Sequence, residues 1–376
     1  MSKKIRTAVV GVGNCFSALY QGVNYYKDHD DEIIPGVTYK RIGGYHPADI
    51  EIVASFDIDR RKVGRVVGEA IFAKPNCARV FHKNVPSGPI VQMGKILDGV
   101  SEHMLKHEPE EESFRLSNEE CSDIEEILKE RGVDILLNYC PVGSQKATEY
   151  YAQCALDANV AFCNCIPVFI ASSPEWEKRF IDKSLPLIGD DMRSQLGASV
   201  LSQVLQELAF DRGMKVNFHQ QINIGGNTDF LNMMSQERLV SKKISKENVI
   251  RAQNDLRGIP APKNSIFAGP STYVPYLKDN KVAYYNIRMV GFGDAQVDID
   301  IKLSVQDSEN SAGVVIDALR FLKVAMEMGI VGALRGPSAF TQKTPPQQMT
   351  FKNAKYECDM LAERKLTEVT SKQVRK

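Results

Sequence analysis

The sequence predicts an α/β fold in which a doubly wound parallel sheet is joined to an inserted α+β domain. Short apolar runs alternate with helical periodicity over roughly the first half of the chain. A glycine-rich turn lies between the first apolar run and the first helical stretch. Later in the chain polar and apolar residues alternate over long runs, as in residues 297–305, which is typical of strands with one solvated face.

The first sheet is predicted from apolar runs that are bounded by turn residues. These runs place strands at residues 5–10, 51–56, 133–138, 160–165 and 186–189. Helical spacing of apolar residues places helices at residues 14–27, 60–72, 124–131 and 144–157. Residues 28–49 contain Asp, Gly, Pro and His and are expected to form an irregular insertion.

The rest of the chain predicts a second sheet and a helix that returns to the first. Residues 216–224 and 283–305 alternate as in an antiparallel or mixed sheet, and residues 311–328 have the pattern of a long amphipathic helix. A chain of 376 residues is expected to form two or three domains. We predict a first domain at 1–205, an inserted catalytic and oligomerisation domain at 206–308, and a C-terminal helical return at 309–376.

The charge balance limits the class of partner. The 47 basic and 47 acidic residues cancel, so the chain lacks the basic field that drives nucleic-acid binding, and a neutral surface favours self-association. Residues 102–126 carry a strong acidic excess, which predicts a solvated surface excursion. No apolar run is long enough to span a bilayer and no secretory leader is recognisable, so we expect a cytoplasmic protein with no membrane partner.

The eight cysteines form no Cys-x-x-Cys pair and no zinc-finger spacing with histidine. Several lie in apolar runs such as residues 160–166, which predicts reduced, buried core residues. For Cys140 we favour the same interpretation over a catalytic nucleophile. A metal requirement stays unknown at this point.

The turn after the first strand predicts a dinucleotide site. Gly11 allows a tight turn, and Gly13 allows a pyrophosphate to approach the N-terminus of the helix that Asn14 and Cys15 open. Phe16 replaces the third glycine of the G-x-G-x-x-G pattern, so the turn alone is a weak signal. A plain strand–helix turn is the alternative.

Asp57 supports the dinucleotide interpretation. It ends the second strand, where an acid accepts hydrogen bonds from a ribose diol, and the insertion at 28–49 accounts for its distance along the chain from Gly13. An acid at this position would repel a 2′-phosphate, which favours NAD over NADP. Arg60 and Arg61 follow closely and leave that preference open.

Three further segments place polar residues at the ends of predicted elements. Residues 189–197 leave a strand and enter a helix, where the amides near Ser194 would bind a phosphate. Residues 223–229 end another strand with amides and a carboxylate. Lys242 and Lys246 are spaced i, i+4, which places both ammonium groups on one helical face. Two adjacent ammonium groups lower each other's pKa, which favours proton transfer near neutrality. A solvated lysine face is the alternative.

Taken together, these segments resemble the myo-inositol-1-phosphate synthase family in its shorter bacterial form. The matching motifs are Val-Val-Gly-Val-Gly-Asn at 9–14, Pro-Val-Phe-Ile-Ala-Ser at 167–172, Gly-Asp-Asp-x-x-Ser at 189–194, Gly-Gly-Asn-x-Asp-Phe at 225–230, Ser-Lys-x-Ile-Ser-Lys at 241–246, Asp-x-Lys-Val-Ala at 279–283 and Asp-Ser at 307–308. The resemblance covers residues 5–348 apart from the segment 75–122, whose role it leaves unassigned. The lysine motif together with Gly-Asp-Asp is specific, whereas the glycine turn is not.

The resemblance implies conversion of glucose 6-phosphate to inositol phosphate, with NAD reduced and re-oxidised within one turnover. The catalytic residues that it implies are Lys242, Lys246, Lys281, Lys343, Asp229 and Asp279. The substrate-binding residues that it implies are Ser194, Asn223, Asn227, Lys246 and Lys281. The cofactor-binding residues that it implies, with those of the turn, are Gly11, Gly13, Asn14, Cys15, Asp57, Asp191 and Asp307.

Within this set we expect Lys242 to act at the C5 oxygen of the sugar and Lys343 at the C1 oxygen. Lys246 and Lys281 are expected to hold the phosphate with the amides near Ser194. A homotetramer and a possible cation near the NAD phosphates are further expectations from the resemblance. The alternatives are another NAD-dependent oxidoreductase of a small phosphorylated metabolite, a paralogue with another phosphosugar substrate, and a non-catalytic NAD-binding paralogue.

Overall fold

Two β-sheets organise the chain, which this computed structural model describes for residues 4–29 and 33–366, without the side chains of residues 236–237, 239–242 and 270–271. The strands are β1 (Ile5–Val10), β2 (Ile50–Asp57), β3 (Val91–Met93), β4 (Ile135–Asn138), β5 (Ala161–Asn164), β6 (Pro186–Ile188), β7 (Lys215–Gly225), β8 (Ile266–Tyr273), β9 (Asn280–Val290), β10 (Gln296–Gln306) and β11 (Gly332–Ala333). The helices are α1 (Asn14–Tyr25), α2 (Val67–Ala70), α3 (Glu102–Leu105), α4 (Ile124–Glu130), α5 (Gln145–Asp157), α6 (Pro174–Asp182), α7 (Ala198–Asp211), α8 (Thr228–Asn232), α9 (Gln236–Asp255), α10 (Asp307–Glu327), α11 (Arg335–Thr341) and α12 (Phe351–Ala362).

The first sheet has the strand order β11-β6-β5-β4-β1-β2-β3, and all its neighbouring strands are parallel. The chain therefore winds outward in both directions from β1, and the doubly wound fold predicted from the sequence is confirmed. In such a sheet the crevice for a ligand opens at the carboxyl ends of the strands where the winding reverses, here β1 and β4.

Alternation along the buried strands separates two apolar layers. Val9 packs in a cluster with residues of α1 and α10, whereas Ala8 and Val10 pack in a cluster with residues of α4, α5 and α6. Both faces of the sheet are thus covered, which explains why its strands read as nearly continuous apolar runs. The predicted return of the amphipathic helix to the first sheet corresponds to α10.

Local capping signals set several helix starts. The Asp123 side chain accepts a hydrogen bond from Glu126 N at the start of α4, and Thr350 caps α12 by accepting from Asn353 N. Ser173 caps α6 in the same way, and Pro174 occupies the first helical position, where a missing N–H has no cost.

The second sheet has the order β10-β9-β7-β8, with antiparallel pairs at β10–β9 and β9–β7 and a parallel pair at β7–β8. This mixed sheet matches the period-two pattern of its strands. Helix α7 covers one face, where Ala209 packs against Ile287 and Met289. β10 lies at the edge of the sheet, and along most of it exposed residues alternate with partly buried ones.

The prediction of a helix at residues 60–72 is wrong for most of that range, because only Val67–Ala70 are α-helical. The backbone N–H groups of Gly64, Val67 and Gly68 instead donate to carbonyl oxygens of residues 87–91. Gly64 has φ +81°, a left-handed conformation that stops a continuous helix. The spacing of the apolar residues was compatible with a helix, but tertiary hydrogen bonding determined the structure.

The C-terminal segment adds elements that the sequence analysis did not predict. β11 extends the first sheet by pairing in parallel with β6, and α11 and α12 pack beside α10. No helix in the described ranges is both long enough and apolar enough to cross a membrane. All eight cysteines are free thiols, and five of them are buried, but the prediction of burial is wrong for Cys121, which is exposed, and for Cys15 and Cys77, which are partly exposed.

Candidate active site

A pocket lies between the two sheets at the carboxyl ends of β1, β2 and β4, and it is also lined from β7 and β9. The residues predicted from the sequence that line it are Gly11, Gly13, Asn14, Cys15, Asp57, Ser194, Asn223, Asn227, Asp229, Lys246, Lys281, Asp307 and Lys343. Asp191 and Asp279 lie behind this lining, in contact with Lys343 and Asn227 respectively. The side chain of Lys242 lies outside the described residues, although its backbone belongs to α9.

The glycine turn fits a dinucleotide pyrophosphate. Gly11 has φ +92°, and a Cβ atom there would lie 2.6 Å from Tyr139 O, so this position requires glycine. A Cβ atom on Gly13 would meet nothing within 4 Å. Open space therefore lies in front of the first turn of α1, where backbone N–H groups and the helix dipole favour an anion.

The two residues that open α1 have different environments. Asn14 Oδ1 accepts hydrogen bonds from Cys77 N (2.6 Å) and Ala78 N (3.0 Å), so this side chain anchors the segment that follows residue 75. Burial, with a further contribution from Asp307, raises the pKa of the Cys15 thiol to about 12. Cys15 therefore presents a neutral thiol to the pocket and not a thiolate.

Asp57 lines the pocket and also holds the glycine turn. Its Oδ2 accepts from Val12 N (2.7 Å), and its Oδ1 accepts from Ile58 N (2.7 Å) and Asp59 N (2.9 Å). Arg60 and Arg61, which left the cofactor preference open, do not line the pocket. Arg61 Nε donates to Asp59 Oδ1 at 2.9 Å, and Arg60 pairs with Glu110.

Lys343 is held by a buried acid of unusual backbone conformation. Its Nζ lies 2.8 Å from Asp191 Oδ1 and 2.5 Å from Met192 O. Asp191 has φ +63°, and its backbone is fixed by hydrogen bonds from Asp191 N to Ile166 O and from Lys343 N to Asp191 O. A strained residue held so firmly is typical of a functional site.

Ser245 completes the contacts of Asp191, and the sequence analysis did not single it out. This buried hydroxyl on α9 donates to Asp191 Oδ2 at 2.6 Å and lies 2.9 Å from Thr344 Oγ1. It therefore joins the helix that carries Lys242 and Lys246 to the acid that holds Lys343. The Ser-Lys-x-Ile-Ser-Lys motif contained the signal, because Ser245 directly precedes Lys246.

Two acids, Asp307 and Asp279, lie at the start of α10 near Lys281. Lys281 forms an ion pair with Asp307 at the start of α10. Asp279 accepts from Ser308 Oγ (2.8 Å), Ser308 N (3.0 Å) and Asn227 Nδ2 (3.2 Å). Burial and, to a smaller extent, the neighbouring Asp307 together raise the pKa of Asp279 to about 7. The site thus contains a carboxyl group poised to gain or lose a proton near neutrality.

The two predicted asparagines are both oriented by structural contacts. Asn223 Nδ2 donates to Gly269 O at 2.8 Å, and Asn223 Oδ1 accepts from Gln221 Nε2 at 3.1 Å. Asn227 Oδ1 accepts from two backbone N–H groups at the start of α8, including that of Asp229. Asn223, Asn227 and Asp229 nevertheless all line the pocket, so each presents part of its side chain or backbone to a ligand.

The helix start predicted near Ser194 lies farther along the chain. Helix α7 begins at Ala198, and Ala198 and Ser199 line the pocket together with Ser194. The amides of Gln195 and Leu196 instead donate to Asn310 O and Asn310 Oδ1. The helix N-terminus expected near Ser194 is therefore at the first turn of α7.

The acidic excursion covers the pocket, so its prediction as a solvated surface segment is wrong in part. Met104 is buried, and Met104 and Phe114 line the pocket. Tyr273 OH on β8 donates to Glu112 Oε2 at 2.8 Å, which ties the excursion to the second sheet. Charges occupy its outer side while two apolar side chains face inward.

Cys140 is buried beside the pocket, and burial raises the pKa of its thiol. A protonated thiol is a poor nucleophile, which agrees with its interpretation as a core residue. Within residues 4–29 and 33–366, no group of three or more His, Cys, Asp or Glu residues is arranged to hold a metal ion.

Comparisons with known proteins identify the relatives of this chain. A family model described as myo-inositol-1-phosphate synthase matches residues 197–308. The inositol-3-phosphate synthase of Mycolicibacterium smegmatis is 43% identical over 364 residues, which cover 96% of this chain and 98% of the relative. The inositol-3-phosphate synthase of Mycobacterium tuberculosis H37Rv is 45% identical over 349 residues, which cover 93% of each chain.

Solved structures share the fold of this chain. The crystal structure of Ari2 is 35% identical, has a TM-score of 0.74, and covers 96% of this chain and 99% of its own. A myo-inositol-1-phosphate synthase-related protein from Thermotoga maritima shares the fold, with a TM-score of 0.73 at 22% identity over 96% of this chain and 98% of its own. Because this chain is 43–45% identical to bacterial inositol-3-phosphate synthases over more than nine-tenths of its length, it belongs to the myo-inositol-1-phosphate synthase family.

Proposed function

We propose that this protein converts D-glucose 6-phosphate to 1D-myo-inositol 3-phosphate, also named 1L-myo-inositol 1-phosphate, in the cytoplasm and with NAD as its bound cofactor. The observation that carries the proposal is the convergence of Lys246, Lys281 and Lys343 on one pocket that begins at the glycine turn. Family membership supports the reaction, and the open space before Gly13 supports the cofactor.

NAD, when bound, supplies reversible hydride acceptance at C5 of the sugar, so the overall reaction needs no external oxidant. The residues proposed to hold it are Gly11, Gly13, Asn14, Cys15 and Asp57, with Asp191 and Asp307 beside its reactive end. Gly13 leaves room for the pyrophosphate, and Asp57 keeps the turn in place through Val12 N. The ribose diol would donate hydrogen bonds to the Asp57 carboxylate.

The lysines supply the proton transfers of the proposed reaction. Oxidation at C5 requires a base for the hydroxyl proton, and the C5 ketone must then be polarised so that C6 loses a proton. We assign both tasks to Lys242. Ring closure onto C1 requires a proton donor at the aldehyde oxygen, which we assign to Lys343. The ion pair with Asp191 sets the position of the Lys343 ammonium group.

The phosphate of the substrate must also be held in the pocket. We assign this task to Lys246 and Lys281, with Ser194 and the first amides of α7, because cations and helix N-termini stabilise phosphate oxygens. Asn223 and Asn227 are proposed to bind sugar hydroxyl groups. Asp229 and Asp279 complete the proposed catalytic set, and Asp279 contributes a carboxyl group that titrates near neutrality.

The test is incubation with glucose 6-phosphate and less than one equivalent of NAD, followed by phosphorus NMR and absorbance at the NADH band. A cyclitol phosphate formed without net NADH is expected. NADH that rises with product would favour the other oxidoreductase, and NAD binding without any conversion of glucose 6-phosphate would favour the non-catalytic paralogue. Conversion of a different hexose phosphate alone would identify a paralogue with another substrate.

We further propose a homotetramer assembled through the second sheet, and the domain boundaries 1–205, 206–308 and 309–376. The exposed edge strand β10 and the neutral net charge support self-association. Analytical ultracentrifugation tests the assembly, and a monomer at micromolar concentration would contradict it. Activity assays with EDTA, Mg²⁺ and K⁺ test the proposed cation near the NAD phosphates.

A further inference from the structure

Lys62, in the loop after β2, is a buried lysine that neither the sequence analysis nor the resemblance assigned. Only 3% of its surface is exposed, yet it lines the pocket. Its Nζ donates to Val12 O at 2.8 Å and to Asn76 Oδ1 at 3.0 Å. Val12 lies between Gly11 and Gly13, so the ammonium group is hydrogen-bonded directly to the glycine turn.

Both acceptors of the Lys62 ammonium group are neutral. No carboxylate forms an ion pair with Lys62 among the residues that the structure describes. Asp57, the acid at the end of β2, is satisfied by the backbone N–H groups of residues 12, 58 and 59. A buried ammonium group without an anion is costly, so its place beside a pocket indicates that a ligand supplies the negative charge.

The neighbours of Lys62 hold its ammonium group toward the turn. Asn76 Nδ2 donates to Val12 O (3.0 Å) and to Ile71 O (2.9 Å), which fixes the amide oxygen that accepts from Lys62. Two of the three ammonium N–H bonds are thus used, and the third has no acceptor within the described part of the chain. Pro75 and Asn76 also line the pocket, so the start of segment 75–122 takes part in this arrangement.

We propose that Lys62 binds a phosphate group of the dinucleotide, which gives the loop after β2 and the start of segment 75–122 a role in cofactor binding. This inference rests on the dinucleotide site of the proposed function. The phosphate has two possible sources. The pyrophosphate occurs in both NAD and NADP, whereas the 2′-phosphate occurs in NADP alone. The hydrogen bond from Lys62 Nζ to Val12 O places the ammonium group at the glycine turn and favours the pyrophosphate.

The test is calorimetric titration of NAD, NADP, ADP and adenosine into the full-length protein and its Lys62→Met variant. Loss of a hydrogen bond to a charged group predicts that NAD and ADP affinities fall about 10- to 100-fold, whereas adenosine affinity is unchanged. Lys62→Arg keeps the charge and is expected to retain most of the affinity. Lys74→Met removes an exposed lysine just before segment 75–122 and is the matched control.

Thermal unfolding without ligand separates binding from a structural role. If Lys62 is an uncompensated buried charge, Lys62→Met leaves the unliganded melting temperature unchanged or raises it, while the increase caused by NAD becomes smaller. A fall in the unliganded melting temperature together with weaker binding of all four ligands would indicate a structural lysine and overturn the inference.

The remaining outcomes identify which phosphate group Lys62 binds, and they separate failure of this inference from failure of the proposed cofactor site. A loss confined to NADP would assign Lys62 to the 2′-phosphate, which keeps the phosphate contact and excludes the pyrophosphate. Equal NAD affinities of the wild-type protein and Lys62→Met would overturn the inference about Lys62 but not the proposed cofactor site. Wild-type protein that binds neither dinucleotide would overturn the proposed cofactor site, and the inference with it.

Discussion

The Nζ atom of Lys343 lies 2.8 Å from Oδ1 of Asp191, although 152 residues separate them in the chain. Asp191 is fully buried, and Lys343 is buried except for a small exposed fraction. This ion pair connects the segment after β6 with the C-terminal segment and presents one ammonium group to the pocket. Lys343 is therefore held at the pocket by a buried counterion.

We expect Lys343→Arg to preserve the fold and to lower kcat by about 10²–10⁴-fold, because arginine keeps the ion pair but does not release a proton. NAD affinity should be unchanged. Steady-state kinetics and calorimetry check both expectations. Lys343→Met should in addition lower the free energy of unfolding by about 3–5 kcal/mol, since Asp191 loses its counterion. Full turnover in Lys343→Arg would remove Lys343 from the proton-transfer steps.

Ser245→Ala is expected to lower kcat about 10- to 100-fold, because Asp191 loses a hydrogen bond to its charged carboxylate and no longer holds Lys343 firmly. KM for glucose 6-phosphate should change little, since Ser245 does not line the pocket. Ser304→Ala removes an exposed hydroxyl on β10 and serves as the control. A rise in KM with unchanged kcat would show that Ser245 acts on substrate binding instead.

Lys242→Ala is expected to abolish turnover and to leave NAD affinity nearly unchanged. The reason is its proposed role at the C5 oxygen, away from the adenine half of the cofactor. Single-turnover reduction of NAD by glucose 6-phosphate, followed by absorbance, measures the oxidation step directly. Collapse of NAD affinity in calorimetry would contradict this placement. Lys243→Ala, which changes an exposed neighbour on the same helix, is the control.

The two turn glycines should respond differently to alanine. Gly11→Ala forces a left-handed conformation and places Cβ against Tyr139 O, so a loss of about 1–3 kcal/mol or more in unfolding free energy is expected without any ligand. Gly13→Ala finds free space and should leave that stability unchanged, but the methyl group occupies the space proposed for the pyrophosphate. NAD affinity of Gly13→Ala should therefore fall. Equal NAD affinity in Gly13→Ala and wild type would place the pyrophosphate elsewhere.

Asp279 predicts a pH dependence of stability. In the fold its pKa is raised from 3.8 to about 7, first by burial and then by Asp307, so the folded state binds more protons than the unfolded state between these values. The free energy of unfolding must therefore decrease as pH rises from about 4 to about 7. Asp279→Asn should flatten this decrease in urea titrations across that range. An unchanged slope would show that Asp279 is ionised throughout.

The Asp190 carboxyl group contributes to the same dependence and must be controlled. Burial raises its pKa to about 6, and its oxygens accept from Asn164, Ser172 and backbone N–H groups of residues 170–172. Its contribution has the same sign as that of Asp279. The slope that remains in Asp279→Asn is therefore expected to be smaller than in wild type but not zero.

Much of the fold followed from local patterns. The doubly wound parallel class of the first sheet could be inferred because apolar runs and helical spacing alternate, and the second sheet because residues 216–224 and 283–305 alternate between polar and apolar. The helix expected at 60–72 failed because hydrogen bonds to residues 87–91, remote in sequence from the helix pattern, replaced the helical ones. Periodicity describes the faces of an element, but it does not reveal which distant backbone competes for its N–H groups.

The site was predictable only in part. Gly11, Gly13 and Asp57 carry local signals of turn and strand end, whereas membership of Lys281 and Lys343 in one pocket came from the resemblance. Lys62 had no local signal, and Ser245 was visible only as a member of the Ser-Lys-x-Ile-Ser-Lys motif. The importance of both residues arises from contacts with Val12 and Asp191, which are distant in sequence. Polar residues that position others are defined by tertiary contacts, which composition and spacing do not contain.

The position of Lys343 near the end of the chain has a consequence for biosynthesis. A ribosome releases the N-terminal half first, so β1 to β6 and the glycine turn exist before α10 and Lys343 have been translated. Until then one face of the first sheet lacks α10, one of the helices that cover it, and Asp191 lacks its cation. A chain that terminates before residue 343 is accordingly expected to lack activity, because it lacks both α12 and the Lys343 ammonium group.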